Sequence, residues 1–129
     1  MLGKILIIED DPVLRRDIAS IFTEANYQTV QTADCLEALM TLEEYEPDLV
    51  VLDEKVPVID GWETAHLLNH AYGLPVMIIG SNPGRDTWIK VLEVGADFYL
   101  KIPFGHQELT GRVKAILRRY HQKQAVPVN

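Results

Sequence analysis

Five short runs of mostly apolar, branched residues recur along this chain, and a stretch of helical periodicity separates each from the next. Ile5-Leu6-Ile7-Ile8, Leu49-Val50-Val51-Leu52 and Val76-Met77-Ile78-Ile79 show no polar alternation, so they read as strands buried on both faces. Thr29-Val30-Gln31-Thr32 is more polar and fits a sheet edge, and Phe98-Tyr99-Leu100 is the fifth run. Strict strand–helix alternation predicts an α/β fold with a doubly wound, five-stranded parallel sheet and right-handed crossovers.

The intervening segments carry helical stripes. Leu14, Ile18, Ile21, Phe22 and Ala25 share one face of the first, and Leu36, Leu39 and Met40 form the face of the second. The third runs through Leu67 and Leu68, the fourth carries Trp88, Ile89 and Leu92, and the last shows Leu109, Val113, Ile116, Leu117 and Tyr120. Asp11 before Pro12 suits a helix start, Asp34 with Glu37 resembles a capping box, and Gly95 suits a helix end. With 129 residues the chain fits one domain, expected over 1–121, with 122–129 as a C-terminal tail or the start of a linker.

Composition narrows the function classes. The net charge of −7 argues against a nucleic-acid-binding surface over the whole chain. Acidic residues concentrate in the first half and basic ones in the second. Cys35 is the one cysteine, which excludes an internal disulfide and fits a reducing, cytoplasmic setting. No apolar run reaches the roughly 20 residues of a membrane span, so no membrane partner is expected.

In open parallel sheets, chemistry collects beyond the carboxyl ends of the strands. Strand one ends at Glu9-Asp10-Asp11, strand three at Asp53, strand four at Gly80-Ser81 and strand five at Lys101-Ile102-Pro103. If strands one and three are neighbours, Glu9, Asp10 and Asp53 meet. Three carboxylates in one crevice repel unless a cation intervenes, and Mg²⁺ suits a few carboxylates plus retained water. Such a site can also take a phosphoryl group on one carboxylate. Asp11 has the simpler role of a helix cap.

In order and spacing, these segments resemble the receiver domain of two-component response regulators, over residues 3 to about 120. They are Lys4 to Asp11, Asp48 to Asp53 with Pro57 and Asp60-Gly61, Pro75-Val76, Leu92 to Asp97, and Tyr99 with Pro103-Phe104. The resemblance implies a flavodoxin-like (CheY-like) fold with strand order 2-1-3-4-5. It implies that Asp53 is the phosphoacceptor, with Mg²⁺ held by Glu9, Asp10, Asp53 and the backbone carbonyl of Lys55. It further implies that Tyr99 is the aromatic switch residue, that the Ile102–Pro103 bond is cis, and that a histidine kinase is the partner. The family role is signalling rather than independent enzymatic turnover. In agreement, the chain lacks a Gly-rich phosphate loop or an inserted element to cover a small substrate.

Two positions depart from the family pattern. Gly80 stands where strand four normally ends in Thr or Ser, with Ser81 one residue later. Ile102 stands where a Lys normally precedes the proline, with Lys101 one residue early. A one-residue slip in a strand turns a side chain to the opposite face, so Gly80, Ser81, Tyr99, Lys101 and Ile102 define an atypical switch. The alternative function is a degenerate receiver that signals by protein interaction or dimerisation without phosphorylation.

The last helix is similar to the OmpR/PhoB subfamily, which implies a homodimer through the fourth helix, fifth strand and fifth helix. Glu93, Asp97, Glu108, Arg112, Lys114 and Arg119 match its charged positions, while Trp88 and Phe98 replace charged residues. DNA would be bound only through an output domain following the tail. His66 and His70 have i,i+4 spacing, a weak zinc signal by itself.

Overall fold

The computed structural model describes residues 2–125 apart from Asn82, with residues 122–125 described as helix backbone alone. The elements alternate as β1 (Lys4–Ile8), α1 (Pro12–Glu24), β2 (Gln28–Thr32), α2 (Cys35–Tyr45), β3 (Leu49–Asp53), α3 (Gly61–Tyr72), β4 (Val76–Gly80), α4 (Thr87–Val94), β5 (Phe98–Lys101) and α5 (His106–Ala125). The five strands form one parallel sheet in the order β2-β1-β3-β4-β5. This is the flavodoxin-like, CheY-like order that the resemblance implies, built on the parallel sheet that the alternating runs predict.

Side-chain alternation divides the core into two layers. Ile5, Ile7, Leu49, Val51, Met77, Ile79 and Leu100 pack with the buried stripes of α1 and α5. Leu6, Ile8, Val50, Leu52, Val76, Ile78 and Tyr99 pack with residues of α2, α3 and α4. The first and last helical stripes read from sequence lie in the first layer.

Two other helices differ from expectation. In α2 the buried residues are Cys35, Ala38 and Leu42, with Leu39 partly buried. Leu36 is half exposed and Met40 is 84% exposed. In α4, Thr87 and Val91 are buried, while Trp88, Ile89 and Leu92 face outward, Leu92 at 81% exposure. Both helices carry apolar residues on more than one side, so periodicity alone leaves the buried face ambiguous. Ala38 and Leu42 of α2 and Val91 of α4 are the buried residues packed in the second layer.

The helix ends follow local chemistry. Asp11 caps α1 by accepting from the amides of Val13 and Leu14, with Pro12 at the first helical position. Asp34 accepts from the Glu37 amide, while Glu37 Oε2 accepts from the Ala33 amide. Gly95 closes α4 in the left-handed region, at φ 76°. Helix α5 continues to Ala125, past the boundary expected at 121. Of the expected tail, residues 126–129 lie outside the described residues.

Candidate functional site

The acidic site is assembled by strand register. Ile8 of β1 stands beside Leu52 of β3, so the next residues along, Glu9 and Asp53, leave the sheet together. The Glu9 amide donates to the Thr32 carbonyl at 3.0 Å, which prolongs the β1–β2 pairing by one residue. The Asp11 cap then turns the chain into α1 and leaves Glu9 and Asp10 at the carboxyl edge.

Beyond β3 the chain is held closely. The Lys55 amide donates to Asp53 Oδ1 at 2.9 Å, and the Gly61 amide donates to the Glu54 carbonyl at 3.0 Å. A Cβ on Gly61 would fall 2.5 Å from both the Asp53 carbonyl oxygen and Glu54 Cα. Only glycine therefore lets the start of α3 press against the backbone that carries Asp53.

One carboxylate oxygen from each of Glu9, Asp10 and Asp53 lies within 4.8 Å of the others. Asp10 is exposed, Asp53 is half-buried, and Glu9 is 1% exposed. Glu9 Oε2 accepts from the Asp11 amide at 3.1 Å, but its buried Oε1 has no hydrogen-bond partner among the described residues. Burial, reinforced by neighbouring Asp53, pushes the Glu9 carboxyl up to about 9. A buried oxygen without a donor among grouped carboxylates is a donor set suited to a small hard dication, so these residues fit Mg²⁺. Arg15, which the sequence reading overlooked, donates from Nη1 to the Glu9 carbonyl at 2.8 Å. Its position four residues after Asp11, one turn into the helix after the acidic run, was the available signal.

The other strand ends have different surroundings. Gly80 is buried at the end of β4, and Ser81 is exposed. Lys101 is exposed, whereas Ile102 is partly buried against the first core layer, to which Leu14 and Phe104 also belong. The Ile102–Pro103 bond is cis. Tyr99 is 3% exposed, and its hydroxyl donates to Glu54 Oε2. Its ring stacks on Trp62, with centroids 6.0 Å apart and planes 4° from parallel. Glu54 was also missed from sequence. The available signal was an acidic side chain directly after a strand-ending aspartate, in a chain whose neighbouring strand ends in glycine.

On the α4–β5–α5 face, Glu93, Glu108, Lys114 and Arg119 are exposed. The Arg112 guanidinium lies 3.8 Å from the centroid of the Phe98 ring, and Trp88 lies 5.2 Å from Phe98, centroid to centroid. Asp97 bonds within the chain, its Oδ2 accepting from the Val76 amide at 2.9 Å and from the Tyr120 hydroxyl at 3.4 Å. Among the described residues, no helix is long and apolar enough to cross a membrane.

Comparison with known proteins agrees with this geometry. The family model for the response regulator receiver domain matches residues 5–114. The chain is 35% identical to the phosphate regulon transcriptional regulatory protein PhoB of Pseudomonas aeruginosa over 123 residues, covering 92% of this chain and 54% of that protein. It is 36% identical to the response regulator ArlR of Staphylococcus aureus over 130 residues, covering 99% of this chain and 58% of that protein. The chain thus spans about half the length of these curated relatives. Among solved structures, a Francisella response regulator receiver domain superposes with a TM-score of 0.84 at 29% identity, covering 92% of this chain and 98% of the other. A CheY-like receiver domain protein from Methanospirillum hungatei has a TM-score of 0.87 at 22% identity, covering 95% and 99%. The register that joins Glu9 to Asp53, the family match over most of the chain and relatives of the OmpR/PhoB type lead to one conclusion: this chain belongs to the receiver domain family of two-component response regulators.

Proposed function

We propose that this domain accepts a phosphoryl group on Asp53 from a phosphohistidine of a histidine kinase, with Mg²⁺ as cofactor. Glu9, Asp10, Asp53 and the Lys55 backbone carbonyl would hold the ion. The observation that carries this reading is the grouping of three carboxylates within 4.8 Å around a buried Glu9 oxygen that has no hydrogen-bond partner among the described residues. Bound there, the ion would offset negative charge on the phosphoryl oxygens.

The chain's own residues do the rest. The Lys55 amide fixes Asp53 Oδ1 and so orients the carboxylate for attack. An Asp53 oxygen forms the new bond to phosphorus as the phosphorus–nitrogen bond of phosphohistidine breaks, and the imidazole leaves with its electron pair and takes up a proton. Ile102 and Gly80 bring neither ammonium nor hydroxyl to the phosphoryl group. In this reading, charge compensation falls mainly on the ion and the backbone amides.

The wider assignment follows from the same family. The domain would work in the cytoplasm, dimerise through the α4–β5–α5 face, and reach DNA through an output domain beyond this sequence. Receiver domains act in signalling, and the reaction here is self-phosphotransfer with autodephosphorylation rather than turnover of a free substrate.

Incubation with acetyl phosphate and Mg²⁺, followed by intact-mass measurement, tests the proposal. One added phosphate is expected, absent from Asp53→Asn and absent when the divalent ion is chelated. A wild-type chain that gains no phosphate would overturn the reading and leave the phosphorylation-independent alternative.

A further inference from the structure

Gly80 and Glu54 are two halves of one arrangement. Both stand at strand ends on the sheet face that carries Tyr99. A Cβ built on Gly80 would land far inside van der Waals contact with Glu54 Oε2 and the Tyr99 hydroxyl. The space where a side chain at position 80 would stand is therefore filled by a carboxylate that accepts the tyrosine's hydrogen bond. The ring is also stacked on Trp62, and the Lys90 ammonium lies 5.5 Å from the Trp62 centroid. Residues from the β3–α3 loop and α3 thus meet the buried phenol of β5, and α4 reaches the far partner of its ring, Trp62.

We infer that Glu54 is the positioning residue for Tyr99: its carboxylate, in the room left by Gly80, holds the ring inward without any phosphoryl group. A carboxylate is a strong hydrogen-bond acceptor for a phenol hydroxyl. The inward orientation is then the ground state of the unmodified domain. A side chain at position 80 and Glu54 in its present place exclude each other. The inference gives the regulation of the proposed phosphoacceptor site and takes its functional meaning from that reading, but its test uses no phosphorylation.

The test uses the full chain in a Trp88→Phe background, which leaves Trp62 as the only tryptophan, with chelator present. Ring–ring NOEs between Tyr99 and Trp62, together with acrylamide quenching of Trp62, report the tyrosine orientation. Glu54→Ala should abolish the NOEs and raise quenching, while Glu54→Gln, which keeps an acceptor of the same shape, should retain them. Gly80→Ser, whose Cβ would strike both Glu54 Oε2 and the Tyr99 hydroxyl, should likewise displace the carboxylate and the ring. If either Glu54→Ala or Gly80→Ser keeps wild-type NOEs and quenching, the inference is overturned. Far-UV circular dichroism establishes that each variant is folded, and either variant suffices if the other is not. Mass measurement of Asp53 phosphorylation on the same variants, moved out of chelator into acetyl phosphate and Mg²⁺, separates the two proposals. A chain that gains no phosphate yet loses the NOEs on Glu54→Ala sinks the phosphoacceptor reading alone.

Discussion

Glu9 concentrates the electrostatics of the acidic pocket, because burial holds its carboxyl near 9 against an ordinary 4.5. Without metal, the folded chain keeps this proton between about pH 4.5 and 9 while the unfolded chain has released it. Its contribution to stability is therefore complete below 4.5 and fades as pH rises through 9. Urea midpoints in chelator should fall across that window, and Glu9→Gln should flatten the fall. Metal bound there would reverse the preference, since an ion requires the ionised carboxylate and would release the proton. Mg²⁺ affinity, followed by tryptophan fluorescence, should accordingly rise with pH up to about 9. Gly61 matters at the same scale for steric reasons. A methyl there would strike the Asp53 carbonyl and Glu54 Cα, both backbone, so neither can swing aside. Gly61→Ala should cost about 1–3 kcal/mol, the usual range for overpacking, read by chemical denaturation. That Asp53, Glu9 and Asp10 meet could be read from sequence because strand ends are where this topology gathers side chains. Glu54 was missed, because an acidic residue after Asp53 becomes informative only once Gly80 and Tyr99 are seen to leave it room.

Among the elements, α1 and α4 show how differently sequence can specify a helix. In α1 the cap, the proline and the buried stripe all agree, and the helix packs as its periodicity indicates. Asp11→Ala removes an acceptor shared by two amides and should lower stability by about 1 kcal/mol in thermal melts. In α4 apolar residues surround the axis, and the sheet takes Val91 rather than Leu92. Leu92→Lys should therefore change stability by less than about 0.5 kcal/mol, as exposed substitutions usually do. Val91→Ala should cost about 2 kcal/mol for its two lost methyl-sized groups. A reversed order in these two denaturation midpoints would contradict the observed face.

At the scale of the whole molecule, the sheet separates two apolar layers that share no side chains among the described residues. Phe22 belongs to the α1–α5 layer and Leu68 to the layer against α2, α3 and α4. Truncating either to alanine should cost about 3–5 kcal/mol for Phe22 and 2–5 for Leu68. The double variant should show their sum within about 0.5 kcal/mol, since distant sites without common partners act independently. Conservative versions such as Leu68→Val keep the comparison measurable if the double truncation unfolds. The sequence by itself determined the class of fold, the five strands, the carboxylates at their ends and the helices whose apolar stripe is single. Those features are local, set by periodicity, capping and the position of charge at the edge of an apolar run. Tertiary structure decided the outward faces of α2 and α4, the burial of Glu9, and the meeting of Gly80, Glu54 and Tyr99. Each of these depends on which strand lies beside which and how closely their ends approach, and no single segment contains that information.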